Sequence, residues 1–224
     1  MGYADIYAAW KADPEAFWME AAKAIDWDRA PTKALSDEAA PMYEWFADAR
    51  VNTCWNAVDR HVENGRGDQA AIIYDSPITN TKARITFAEL QDKTARLAGA
   101  LAGKGVTKGD RVIIYMPMVP EALVAMLACA RIGAIHSVVF GGFAANELAV
   151  RIDDCTPKAI IAGSCGIEPG RIVEYKPLLD AAIETATHKP EFTVILQRDQ
   201  SPADLVKGRD FDWNETVAAA TPAD

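Results

Sequence analysis

From residue 65 onward, short runs of consecutive apolar residues alternate with longer stretches in which apolar positions recur every three or four residues. The runs Ala70-Ala-Ile-Ile-Tyr74 and Ala83-Arg-Ile-Thr-Phe87 read as strands flanking a turn-rich Asp75–Thr81. Thr86 is placed to cap a helix over Phe87–Lys104, in which Phe87, Leu90, Leu97, Ala98 and Leu101 share a face and which Gly103 and Gly105 stop. A repeating unit follows. Arg111–Tyr115 predicts a strand, Val119–Ile132 a helix begun at Pro120 and ended at Gly133, and Ile135–Phe140 a strand. Asn146–Asp154 predicts a helix and Pro157–Ala162 a strand. Strands that are apolar throughout, separated by helices, imply a parallel sheet covered on both faces. The fold class expected is therefore α/β: a parallel-rich βαβαβ sheet with flanking helices.

Right-handed crossovers put the carboxyl ends of such strands on one edge, and ligands of open α/β sheets bind beyond that edge. Phe140-Gly141-Gly142-Phe143 and Gly163-Ser164-Cys165-Gly166 are expected there together. A glycine pair lets a ligand or a second backbone approach closely, and equally it makes a plain tight turn. Arg171, five residues beyond Gly166, offers a guanidinium that can grip a phosphate in two places or simply be solvated. Neither the phosphate-loop string G-x-x-x-x-G-K-S/T nor a dinucleotide G-x-G-x-x-G that opens a helix occurs; Gly99–Gly105 ends one.

Residues 1–64 differ in character and are assigned to a separate leader. Asp13-Pro14 starts a helix continuing to Ala24, and Asn52–Glu63 reads as another. Trp10, Trp18, Trp27 and Trp45 are irregularly spaced, which suits aromatic anchors clamping onto a larger body or a small local core. Residues 65–224 form the main α/β part.

With 50% hydrophobic and 25% charged residues the chain has enough apolar side chains for a real core. A net charge of -9 without a local basic cluster argues against nucleic acid and anionic membrane as partners. The opening MGYADIYAAWKADPEAFW lacks the apolar run of a secretory signal, and a cytoplasmic location is the expectation. Cys54, Cys129, Cys155 and Cys165 have no metal-binding spacing, and with three histidines in the chain they are read as reduced structural residues; no metal site is expected.

The strings Tyr115-Met-Pro-Met-Val-Pro-Glu-Ala and Ala125-Met-Leu-Ala-Cys-Ala-Arg-Ile-Gly-Ala-Ile-His-Ser-Val-Val-Phe-Gly-Gly-Phe143 resemble the amino-terminal part of the acetyl- and propionyl-CoA synthetases, members of the adenylate-forming superfamily. Ile85-Thr-Phe-Ala-Glu-Leu90 is similar to the first core motif of that family, and the Trp-rich opening to its leader. Gly166-Ile-Glu-Pro-Gly-Arg171, followed by Val173-Glu-Tyr-Lys-Pro-Leu-Leu179, resembles the propionyl type; the acetyl type commonly has G-V-R-A-G-R, so Glu168 stands in place of an arginine.

The resemblance implies an ATP-dependent, AMP-forming reaction in which propionate, ATP with Mg2+, and coenzyme A (CoA) give propionyl-CoA through an acyl adenylate. It implies that Gly141 and Gly142 line the path of the pantetheine arm, that Phe140 contacts the coenzyme, and that Arg171 approaches its 3′-phosphate. His136 would be buried in mid-strand in a hydrogen-bonded core role. The family's Ser/Thr/Gly-rich phosphate loop, ribose aspartate and carboxyl-terminal lysine have no counterpart here, so no catalytic residue is assigned. The chain is expected to be the amino-terminal portion of a longer enzyme, cut before the phosphate loop and inactive alone. A CoA-binding module without adenylation, an acetate-specific enzyme, and a purely structural or interaction role for the leader are the alternatives.

Overall fold

The computed structural model describes residues 2–224. By its internal contacts the chain divides between Asn56 and Ala57 into two compact units.

In the smaller unit, α1 (Tyr3–Ala12) and α2 (Pro14–Ala21) are followed by a two-residue antiparallel pair, β1 (Leu35–Ser36) and β2 (Glu44–Trp45). Asp13 caps α2 by accepting from the Ala16 N–H at 2.9 Å, with Pro14 at the first helical position, as the sequence predicts. The aromatic side chains pack on one another: Trp18 meets Trp45 edge-on at 5.3 Å between centroids, and Trp27 meets Phe46 at 5.4 Å while donating to the Ala22 carbonyl. Where one helix over Asn52–Glu63 is expected, the chain winds in two wide-turned segments, Trp55–Asp59 and Val62–Arg66, with Gly65 at φ +75°.

Val62–Arg66 already belongs to the larger unit, which continues with a hairpin, β3 (Ala70–Ser76) and β4 (Thr81–Thr86), whose strands run further into the turn-rich stretch than the sequence suggests, with Asp75 paired to Lys82. α3 (Phe87–Gly103) begins in a reciprocal cap: Thr86 Oγ1 accepts from the Glu89 N–H, and Glu89 accepts from the Thr86 N–H. Then come β5 (Arg111–Met116), α4 (Pro120–Arg131), β6 (Ile135–Phe140), α5 (Ala145–Cys155), β7 (Ala159–Gly163) and a hairpin of β8 (Cys165–Glu168) with β9 (Arg171–Glu174). α6 (Tyr175–Thr185), β10 (Phe192–Leu196), β11 (Asp210–Asp212) and α7 (Trp213–Ala218) complete it.

The five long-range strands form one parallel sheet in the order β11-β10-β7-β5-β6. This is the α/β fold expected. Ile113 and Tyr115 of β5, Ile160 and Ala162 of β7 and Ile195 of β10 pack against Leu148 and Ile152 of α5 and Leu179 and Ile183 of α6. Apolar contact of this kind holds helices to sheets. β7 and β10 are buried along their whole length. The expectation of burial on both faces fails at β6. It is an edge strand, and the face that buries Val112 and Ile114 on β5 is open at their register partners His136 and Val138. His136 is exposed, not a core residue, because no element covers it.

The end of the chain is tied in. Thr221 crosses α3 at Gly99, where an added Cβ would lie 1.8 Å from its carbonyl oxygen. Ala223 donates to Ala95 O and accepts from Arg131 Nε, while the Arg131 guanidinium clamps buried Asp59 at 2.8 and 2.9 Å.

Candidate functional site

Several connections leave the carboxyl edge of the sheet, and one side chain joins two of them. Tyr175, the first residue of α6, lays its ring between the turn after β6 and the start of β8. A Cβ at Gly141 would sit 2.6 Å from the Tyr175 hydroxyl and 2.8 Å from the Met116 carbonyl; one at Gly166 would sit 2.2 Å from the same hydroxyl. Both glycines are required by this protein contact. Gly142 has φ +90°, the left-handed region that glycine alone enters without strain. Burial, and then the nearby Glu168 carboxylate, hold the Tyr175 hydroxyl above its usual range, so it stays protonated.

The turn after β6 is held from below by Tyr115. Its hydroxyl donates to the Phe143 carbonyl at 2.9 Å, and burial pushes its pKa up to about 12. Phe140 stands 71% exposed at the rim, its ring 5.7 Å from that of Phe143, which in turn receives the Arg151 guanidinium on its face. The glycine backbone thus has a firm support beneath and an apolar lip above.

Residues 163–174 form a buried joint and a hairpin where the sequence suggests a loop. Ser164 carries the joint: its carbonyl accepts from the Tyr175 and Lys176 N–H groups, its own N–H donates to Leu196 O, and its Oγ accepts from the Arg198 N–H. Pro169-Gly170 makes the hairpin turn, Gly170 at φ +80°, which sets Glu168 opposite Arg171. Arg171 Nε and Nη2 both reach Glu168 Oε2 at 2.7 Å, on an exposed pair. Glu168 also lies within about 4 Å of the position a Gly142 Cβ would take. Arg171 lines a hollow of about 470 Å³ together with Val173, Glu174, Pro177 and Ser201.

The structure therefore brings Phe140, Gly141, Gly142 and the Glu168–Arg171 pair to one edge. Sequence reasoning missed Tyr175, which joins the loops, and Arg198, whose guanidinium donates to Cys165 O from the loop after β10. A tyrosine at a helix start carries no sequence signal of such a role; only the glycines it fills hint at a neighbour. A second hollow, of about 900 Å³, lies between the β3–β4 hairpin and the loop after β10, with Tyr74, Ile85, Arg96, Pro120, Arg198 and Trp213 among its walls. Among the described residues no cluster of His, Cys, Asp or Glu could hold a metal ion.

Residues 58–224 match the family described as AMP-binding enzyme, and residues 3–57 match the acetyl-coenzyme A synthetase N-terminus. The chain belongs to the AMP-binding enzyme family. Within that family, the mitochondrial acyl-CoA synthetase short-chain family member 3 of Rattus norvegicus is 52% identical over 99% of this chain and 33% of its own length. An acetyl-coenzyme A synthetase of Xanthobacter autotrophicus is 44% identical over 98% of the chain, and a propionate–CoA ligase of Escherichia coli 42% over 95%; each is covered over 34% of its own length. The chain thus spans about a third of the length of the curated relatives it matches. An acetoacetyl-CoA synthetase from Streptomyces lividans shares the fold, with a TM-score of 0.85 at 24% identity over 100% of this chain and 34% of that one.

Proposed function

We propose that this chain is the amino-terminal portion of an AMP-forming short-chain acyl-CoA ligase that makes propionyl-CoA from propionate, ATP and CoA. The observation that carries the reading is the match of both units, in order and without a gap, to the leader and AMP-binding parts of that family. Propionate rests on Glu168 in the hairpin, where the acetyl type commonly carries an arginine. The similar identities to an acetyl-coenzyme A synthetase and a propionate–CoA ligase keep acetate as the second reading.

In this proposal the 224 residues supply the coenzyme side of the reaction. Exposed Phe140 offers apolar contact to the pantetheine arm, Gly141 and Gly142 offer backbone, and Arg171 offers a guanidinium to the 3′-phosphate. The fit is partial. The Cβ side of Gly141 is filled by Tyr175, so an arm can pass this glycine only along its other side, and Arg171 must first exchange Glu168 for the phosphate. Mg2+ and the ATP phosphates would be held by residues outside this segment, so the segment alone is inactive.

The longer native protein, assayed with ATP, Mg2+ and CoA against each acid, tests the reading. Faster turnover per mole of propionate than of acetate is expected; clear preference for acetate overturns the substrate, and no acyl-CoA from either acid overturns the activity. Calorimetry of CoA against this chain and its Arg171→Ala variant separately tests the binding residues.

A further inference from the structure

The two glycines after β6 differ on the side where a Cβ would stand. At Gly141 that space is filled, with the Tyr175 hydroxyl 2.6 Å from the Cβ position. At Gly142 it is open: the nearest atoms beyond the glycine's chain neighbours are Tyr175 Cε1 at 3.7 Å, the Tyr175 hydroxyl at 3.8 Å and Glu168 Oε1 at 4.0 Å. The result is a small notch with two oxygens on its walls.

Neither oxygen is used within the protein. Tyr175 is only 6% exposed, yet among the described residues its hydroxyl makes no hydrogen bond. Burial and the Glu168 carboxylate keep it protonated, so it is a donor without an acceptor. Buried polar groups are nearly always bonded, and one that is not marks a place where something else bonds. On Glu168, Arg171 takes both of its contacts at Oε2. Oε1 is left as an acceptor turned towards the notch.

A donor and an acceptor on two walls select a group that carries one of each. A carboxylate would be repelled by Glu168, and an ammonium ion has no acceptor for the phenol proton. A neutral amide meets both. The two oxygens lie within 4.0 Å of one point, so they are no further apart than the roughly 8 Å that an amide spans when bonded through its oxygen and its nitrogen. We propose that the Tyr175 hydroxyl and Glu168 Oε1 hold one amide of the pantetheine arm, the phenol donating to the amide oxygen and the carboxylate accepting from the amide N–H. This rests on the reading of the chain as part of a CoA ligase. Pantetheine carries two amides, and Gly142, without a Cβ, leaves room for one of them. Glu168 then has two tasks: Oε2 holds Arg171 until a phosphate replaces it, and Oε1 receives the arm.

Steady-state kinetics of the longer native protein tests the proposal. Tyr175→Phe keeps the ring between the glycines and removes only the hydroxyl. It is expected to raise the KM for CoA about fivefold, the worth of one hydrogen bond. Two CoA analogues, each with one arm amide replaced by a methylene pair, show which amide is held: with that analogue the difference between native protein and Tyr175→Phe disappears. Glu168→Gln and Glu168→Ala both release Arg171, but only glutamine keeps an acceptor oxygen. The alanine variant is therefore expected to have a KM for CoA about threefold or more above that of the glutamine variant. An unchanged KM in Tyr175→Phe overturns the proposal, since the notch then holds only water. An equal rise with CoA and both analogues also overturns it, because the hydroxyl then acts on the shape of the turn. Acid-dependent exchange of pyrophosphate into ATP, a step in which CoA takes no part, separates the two failures. No exchange in the native protein removes the ligase reading itself, whereas exchange without a KM response to Tyr175→Phe removes only the amide contact.

Discussion

The two edges of the parallel sheet are finished in opposite ways. β11 is three residues long, and two of them are aspartates. Asp210, its side chain fully buried, accepts from Lys176 at 2.9 Å, Arg209 at 2.6 Å, the Thr193 hydroxyl at 2.8 Å and the Val206 N–H at 2.8 Å; Asp180 on α6 pairs with both cations. β6 is twice as long and carries no Asp, Glu, Lys or Arg. A short edge locked by charge is closed to further strands, and a long bare one is open. The contrast teaches that one parallel sheet can end in a strand fixed by a buried charge network on one side and in an exposed, charge-free strand on the other.

Breaking the closed edge has the largest expected effect. Asp210→Asn removes the buried charge from between Lys176 and half-buried Arg209 and leaves Asp180 to pair with both, a loss of about 3–5 kcal/mol that a urea titration would register. An unchanged midpoint in Asp210→Asn would show the network to be idle. The pH dependence follows from the same group. Burial alone would raise the Asp210 pKa, but Arg209, the Val206 N–H, Lys176 and Thr193 outweigh it and hold the carboxyl well below its usual range. A depressed native pKa gives stability that is full above the unfolded value of about 3.9 and lost as pH falls below it. Thermal melts between pH 6 and 3 are therefore expected to steepen below about pH 4 in the native sequence and to be flatter in Asp210→Asn.

Gly166→Ala tests the joint between the edges. The new methyl would collide with the Tyr175 ring, and a cost of about 1–3 kcal/mol is expected; Tyr175→Ala in the same chain should make the alanine nearly neutral, a non-additivity that a double-mutant cycle reads directly. Additive losses would mean that Tyr175 moves aside freely. At the open edge, Val138→Thr is expected to shift stability by less than about 0.5 kcal/mol, since the side chain is more than half exposed. A loss comparable to that of Asp210→Asn would erase the comparison. Smallest of all, Glu168→Gln should leave the Tm unchanged and tighten CoA binding by up to about fivefold, because the exposed pair it breaks contributes little to folding yet competes for Arg171.

The cadence of strand and helix from Ala70 to Gly163, the caps at Asp13 and Thr86, the stop at Gly105 and the glycine turn after Phe140 were all legible from residue types and spacing, because each depends on neighbours within a few positions in the chain. The segment 192–212, which adds β10 and β11, was not singled out, although Phe192–Leu196 is as apolar as the strands that were.

What the sequence by itself determined is which segments fold locally and that their strands end on one edge. Only the tertiary structure decided the rest. Apolar character does not distinguish a central strand from an edge one, since sheet order depends on which distant segments pair; hence His136 was expected inside and lies outside. The reason for Gly141 and Gly166 is likewise remote: a ring nine or more residues on, brought between them by the packing of α6. The pairing of Glu168 with Arg171 required the Pro169-Gly170 turn to fold the hairpin back, setting two side chains three residues apart face to face. Local physics writes the elements, and the contacts among them, which no short window of sequence contains, assign each residue its work.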